Sequence, residues 1–412
     1  MQAEIIAVGS ELLDEPRTDA NSPFLAQALR SIGARVVRQS VLPDDRALLT
    51  DALRGACSRT PIVICCGGLG STADDCTVDA AAAALNARAV QDPLAAARLR
   101  EWLRHRRRRL TRLHLRQVRR IESADWIPNR LGTAWGQWIP TPRGCLILLP
   151  GPPRELQPLV AESVLPRLAL AADRACASRV LSIAGMTETA VEAAAAPVYA
   201  LTANPRTTIL ALSEPSVELH FHAWAPSAAT AQRRADRLAR LIERRLGHAV
   251  YSRDRQSLSA VVGQLLRSRR QTLAVAESCT GGLLGQRLTA DAGASDYFLG
   301  GVIAYSNAAK KSLIEVPAST LARGGAVSAP AAIAMAKGAQ QRFGANWGVS
   351  ITGVAGPGGG TPAKPVGTVF VGLAPPRGRA RAVRLRLAGD RAQIRSHAAQ
   401  TALNLLRLGL LV

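Results

Sequence analysis

Lysine is nearly absent from this chain: of 52 basic residues, only Lys310, Lys311, Lys337 and Lys364 are lysines and the remainder are arginines. A guanidinium stays protonated at any working pH, whereas a desolvated ammonium can become a base. Chemistry that needs a titratable amine is therefore confined to four positions. Aromatic residues make up 4% of the 412 residues, which leaves little on which nucleic-acid bases would stack. The seven cysteines, Cys57, Cys65, Cys66, Cys76, Cys145, Cys176 and Cys279, form an odd set with no CxxC spacing. That pattern argues against a disulfide framework and a zinc knuckle, and predicts reduced thiols in a cytoplasmic protein. No apolar run approaches membrane-spanning length, and Met1-Gln-Ala-Glu4-Ile-Ile-Ala-Val8 runs directly into a strand pattern rather than a signal peptide.

What is present is enough for a folded protein. With 48% hydrophobic residues in 412, the chain has material for two or three cores and is not disordered. The net charge of +22 is unevenly spread, since Arg98 to Arg120 holds 11 arginines against the single acid Glu101. Arg106 to Arg109, Arg112, Arg116, Arg119 and Arg120 interleave with Leu110, Leu113, Leu115 and Val118, which predicts a helix with a cationic face. Such a face suits a phosphate backbone. A solvated helix in an arginine-biased chain is the favoured reading, because no recognised nucleic-acid motif accompanies it.

Residues 1 to 170 alternate buried-strand runs (Glu4 to Val8, Ile62 to Cys66) with amphipathic segments (Ser22 to Ile32, Arg46 to Cys57), which predicts a doubly wound sheet. The loop Gly67-Gly68-Leu-Gly70-Ser-Thr-Ala-Asp74-Asp75-Cys-Thr77 follows the second run. Its glycines let a ligand approach the backbone and its paired carboxylates stand at a helix entry. A small α/β segment over 171 to 255 has strands near Ser178 to Ala184 and Ser216 to Ala223 and a helix from Thr230 to Leu246 ending at Gly247. His220 and His222 share one face there, but without a third ligand they read as ordinary strand residues.

The last region, 256 to 412, opens with a helix over Leu258 to Arg269 and then holds Leu273-Ala-Val-Ala-Glu277-Ser278-Cys279-Thr280-Gly281-Gly282. A buried strand running into Ser, Thr and two glycines is a strand-to-helix turn, where backbone N–H groups stand beside a hydroxyl. A serine there is by default an N-cap. What shifts the balance is Gly300-Gly-Val-Ile-Ala-Tyr305-Ser-Asn-Ala-Ala-Lys310-Lys311, which supplies a phenol and a rare lysine on a second strand and its exit.

These segments, with Gly325-Ala-Val-Ser328, Thr352-Gly353-Val-Ala-Gly356-Pro357 and Lys364-Pro-Val-Gly-Thr368, resemble the carboxy-terminal domain of the CinA family. The resemblance implies nicotinamide-nucleotide amidohydrolase activity, converting nicotinamide mononucleotide to nicotinate mononucleotide and ammonia. It places the nucleophile at Ser278, the phenol at Tyr305 and the amine at Lys310. An oxyanion site is expected at Thr280, Gly281 and Gly282, with no metal or other cofactor. A phosphate cradle is expected at Thr352, Gly353 and Gly356. In that scheme Tyr305 protonates the departing ammonia.

Gly9-Ser-Glu-Leu-Leu13, Asn21, the Gly67 loop and Leu149-Pro-Gly-Pro-Pro153 resemble the amino-terminal half of the same family, which is similar to molybdopterin-binding domains. The implied ligand site is Gly67, Gly68, Gly70, Asp74, Asp75 and Thr77. In some relatives this half is linked to ADP-ribose pyrophosphatase activity, which would need a divalent metal near Asp74 and Asp75; Asp14-Glu-Pro16 departs from the relatives' glycine. The middle segment resembles the family's small linking domain and is assigned no chemistry. The expectation is an α/β protein of three parts (1–170, 171–255, 256–412) acting on a small nucleotide, and the resemblance implies a homodimer. The rival readings are a pyrophosphatase in the first part and a non-catalytic competence-associated factor.

Overall fold

The computed structural model describes all residues except 108, 172–173 and 213–214. The chain divides into two compact units, Met1–Ala177 with Trp224–Gln232, and Ser178–Ala223 with Arg233–Val412.

Alternation within each buried strand builds the first unit. Its six-stranded sheet runs in the order Arg35–Leu42, Gln2–Val8, Ile62–Cys66, Gly144–Leu149, Gly136–Thr141, Asp125–Ile127. The first four strands pair in parallel and the last two antiparallel. Successive side chains of a strand point to opposite faces, so a strand apolar at every position must be covered on both sides. Ile5, Ile64 and Ile147 accordingly join one core with Leu25 and Leu156, while Ile6, Val63 and Leu146 join the other with Leu53 and Ala81. The expected doubly wound sheet is present.

The arginine-rich segment differs from its expectation. The helix Pro93–His105 stops before the run of four arginines, and Arg107 takes a left-handed φ of 54°. His114–Val118 is a 3-10 turn, and Arg119–Ile121 is a strand antiparallel to Ala89–Gln91. Arg108 lies outside the described residues. Several of these arginines are committed within the fold. Arg119 donates to Asp79 at 3.0 Å and Arg120 to Asp92 at 2.9 Å. Arg116 reaches the Asp75 carbonyl at 3.2 Å, and Arg98 and Arg106 stack on Trp135 and Trp102. Four or more like charges in succession repel along a helix face, and acids placed elsewhere in the fold draw the later ones into other geometries.

A four-stranded sheet, most of whose residues belong to the second unit, orders as Arg206–Ala211, Ser216–Ala225, Ala175–Ala184, Val250–Ser252, accompanied by the helices Glu188–Tyr199 and Ala228–Leu246. His220 meets Glu218 at 2.6 Å and His222 meets Ser178 at 2.8 Å, so both rings have partners within the sheet. The other sheet of this unit orders as Phe298–Ile303, Leu273–Glu277, Trp347–Gly353, Thr368–Ala374, Arg381–Arg386. Its first three strands are parallel and its last two antiparallel. Leu273, Val275, Val349 and Ile351 pack on one side against Leu403 and Leu406 of the final helix, Arg391–Leu411. Ala274 and Ala276 pack on the other against Ile314 and Met335. Among the described residues, no helix is long and apolar enough to cross a membrane.

Candidate active site

The central strand Leu273–Glu277 is buried at all five positions, and it delivers Ser278 to the carboxyl end of the sheet, where the chain must turn. Gly281 and Gly282 make the turn with φ of 59° and 96°, a region costly for any residue with a Cβ. The helix Leu283–Leu288 follows.

Glu277, 2% exposed, organises this turn. Its carboxylate accepts from the N–H of Gly282 at 3.0 Å, Leu284 at 3.1 Å and Gly285 at 2.8 Å. A carboxylate at a helix start satisfies orphan amides and suits the positive end of the helix. The consequence bears on the expected oxyanion site. The Gly282 N–H is engaged by Glu277, and the Gly281 N–H donates to the Ser278 carbonyl at 3.1 Å. The N–H groups of Cys279 and Thr280 have no acceptor among the described residues, and these are the amides beside Ser278 that can receive a developing negative charge. Thr280 is fully buried; its carbonyl accepts from Arg395 Nη2 at 2.6 Å, and its hydroxyl has no hydrogen-bond partner among the described residues.

The adjacent strand Phe298–Ile303 leads into Ala304, Tyr305 and the helix Asn307–Ile314, capped by Ser306. Lys310 on that helix is 1% exposed. Its Nζ donates to Ser278 Oγ at 3.0 Å, to the Ala304 carbonyl at 2.8 Å and to the Tyr305 carbonyl at 3.0 Å. Burial lowers its pKa from the ordinary lysine value, since desolvation penalises the ammonium. Two of the three Nζ partners are carbonyls, which only accept. In the neutral amine both hydrogens go to those carbonyls, and the lone pair is left facing the serine hydroxyl. A base in contact with a nucleophile and oriented by third groups is the arrangement that activates a serine.

Tyr305 is placed differently from Ser278 and Lys310. Its side chain is 59% exposed, and its hydroxyl accepts from Arg391 Nη2 at 3.0 Å, with no hydrogen bond to Ser278 or Lys310. Its share in holding Lys310 is its backbone carbonyl. Arg391 also donates to the Gly356 carbonyl at 2.6 Å. Arg391 and Arg395, one turn apart on the final helix, thus reach Tyr305, the Gly356 loop and the serine loop. Sequence reading missed both, as it missed Glu277. A carboxylate immediately before a glycine turn and a helix was the available signal for Glu277; nothing local marked the arginines.

Of the expected phosphate cradle, Thr352 is buried and its hydroxyl donates to the Ala326 carbonyl at 2.8 Å. Gly353 ends its strand against Val369. Gly356 has φ 79°, and the N–H groups of Ala355 and Gly356 have no acceptor among the described residues.

Cys279 is the neighbouring rival nucleophile. Burial pushes its thiol up to about 11, so it is protonated at neutral pH and unreactive. Cys279→Ala is expected to retain near-normal turnover, and iodoacetamide at neutral pH to leave the native enzyme active.

In the first unit, Gly67, Gly68, Gly70, Asp74 and Asp75 line a cavity of about 330 Å³ together with Asp44 and Glu155. The buried Thr77 hydroxyl donates to the Gly67 carbonyl at 2.8 Å. Asp75 accepts from the Gly70 N–H at 2.7 Å, the Thr72 N–H at 2.8 Å and the Thr72 hydroxyl. Both of its oxygens therefore tie the loop, and Asp74 is exposed beside it. Among the described residues no group of three or more His, Cys, Asp or Glu is arranged to hold a metal ion. Both Asp75 oxygens are engaged by the loop, and no step is derived through the divalent metal expected near Asp74 and Asp75.

The comparisons follow the two halves of the sequence. Residues 255–410 match the family described as CinA C-terminal domain, and residues 4–170 match the family described as probable molybdopterin binding domain. The chain is 40% identical over 412 residues to a CinA-like protein of Solibacter usitatus, covering 99% of this chain and 98% of that one. It is 40% identical over 409 residues to a putative competence-damage inducible protein of Moorella thermoacetica, covering 98% of each. Among solved structures, the competence/damage inducible protein CihA from Agrobacterium tumefaciens is 37% identical over 38% of this chain and 94% of its own, with a TM-score of 0.37.

Proposed function

We propose that this chain, which belongs to the CinA family, is a nicotinamide-nucleotide amidohydrolase that works through an acyl-serine intermediate. The observation that carries this reading is the 3.0 Å contact between Lys310 Nζ and Ser278 Oγ, with the amine buried and held by two carbonyls.

Neutral Lys310 takes the Ser278 proton as Oγ attacks the carboxamide carbon of nicotinamide mononucleotide. The carbonyl electron pair moves onto oxygen, where the Cys279 and Thr280 N–H groups receive it. Collapse breaks the C–N bond, and the proton held by Lys310 leaves with the amine as ammonia. Lys310 then deprotonates a water that attacks the acyl-serine, releasing nicotinate mononucleotide and restoring the hydroxyl. Lys310, rather than the Tyr305 phenol, is the acid in contact with the reacting oxygen. Arg391 bonds the Tyr305 hydroxyl and the Gly356 carbonyl, and the open amides of Ala355 and Gly356, with Arg391 beside them, suit the nucleotide phosphate.

Ammonia release from nicotinamide mononucleotide, assayed on the full chain, tests this reading. Activity is expected to persist in excess chelator and to vanish in Ser278→Ala. Mass spectrometry of the quenched reaction should place the acyl adduct on Ser278. Absence of ammonia release, or an adduct on Cys279, overturns it.

A further inference from the structure

At the opposite end of the same sheet, a cavity of about 920 Å³ is lined by Arg269, Arg270, Arg377, Arg379 and Arg381, with Trp347 at its wall. Gln271, Asn346 and Trp347 mark the starts of the strands Leu273–Glu277 and Trp347–Gly353, whereas Ser278 follows the end of the first. Five strand residues separate the two places by roughly 16 Å.

We propose that this cavity binds a chain of linked phosphates. No acidic side chain lines it, the one anionic group at its edge being the α-carboxylate of Val412, and none of the five guanidinium groups has an ion pair among the described residues. Some arginines elsewhere are matched with acids, as in Arg59–Glu4, Arg119–Asp79, Arg120–Asp92 and Arg253–Glu243; what sets these five apart is that they share one concavity. Five permanent charges converging on one concavity repel one another and concentrate positive potential there. An anion that accepts several forked hydrogen bonds at once relieves that repulsion, and phosphate oxygens match the guanidinium fork.

The shape favours a compact polyanion over nucleic acid. The arginines come from the end of one helix and from a single turn between two strands, and they surround a hollow rather than lining a strip along which a duplex would lie. Trp347 is 5% exposed, and its indole N–H donates to Gln271 at 2.7 Å, so it offers no face on which a base could stack.

Calorimetric titration of the full chain with inorganic triphosphate, with ATP and with a 20-nucleotide single strand tests the site. Triphosphate and ATP are expected to bind with affinity that falls as salt is raised. The double variant Arg377→Glu, Arg379→Glu should weaken both by at least about tenfold while its ammonia release from nicotinamide mononucleotide stays at the native rate. Equal loss for triphosphate and ATP identifies the phosphate chain as the ligand group; a larger loss for ATP adds the nucleoside to it. Binding of the oligonucleotide alone, binding of neither phosphate ligand, or undiminished binding in the variant overturns the proposal.

Discussion

Lys310→Arg is expected to lower turnover of nicotinamide mononucleotide by a factor of about 100 or more, the ordinary consequence of removing a general base, while Lys311→Arg stays near the native rate. The two lysines are adjacent in sequence and opposite in environment: Lys310 is buried against Ser278 and Lys311 is exposed. Arginine preserves the positive charge but cannot release a proton in the working range, so the variant separates a charge from a base. Because burial depresses the Lys310 pKa, kcat/KM should rise with pH through that depressed value, below the ordinary lysine range. Stability should move in the same direction. The unfolded chain binds the lysine proton more tightly than the folded one, so the cost of burying Lys310 is full below its folded pKa and disappears as pH rises towards the ordinary value. A Lys310→Arg enzyme with near-native turnover, measured by ammonia release, sinks the assignment of Lys310 as the base.

Glu277→Ala is expected to be the most damaging change outside the Ser278–Lys310 pair. It removes the acceptor of three N–H groups at once, and each buried amide left without a partner costs about 1–3 kcal/mol. With some relaxation and water entry, a loss of about 3–5 kcal/mol in unfolding free energy is expected. The same carboxylate fixes the turn that carries the Cys279 and Thr280 amides. Displacement of those amides should lower kcat by a factor of about 100, with a smaller effect on KM, because the oxyanion exists only along the reaction path. Glu277→Gln keeps one acceptor oxygen and should fall between the native protein and the alanine variant in both measures. Chemical denaturation and steady-state kinetics on the two variants check this. A Glu277→Ala protein of native stability and rate removes the carboxylate from its positioning role.

Several features were legible from the residues alone because they depend on local pattern. Ile62–Cys66 and the run from Leu273 to Ala276 are unbroken apolar segments that must be covered on both faces, and both strands occupy the expected places. The scarcity of lysine narrowed a titratable amine to four positions, the family motif placed it at Lys310, and the Gly281-Gly282 pair marked the turn after Ser278. The sequence also carried the family, through motifs in both halves. Only the tertiary structure decided what each group touches. It set Lys310 against Ser278 across 32 positions, turned the Tyr305 phenol towards Arg391, and closed the Gly282 amide under Glu277. It also ended the expected arginine helix at His105, and it drew Arg119 and Arg120 into ion pairs with Asp79 and Asp92, 40 and 28 positions away. Local pattern records which face of an element is apolar. Which charges and lone pairs meet is set by strand order, and strand order is a property of the whole sheet.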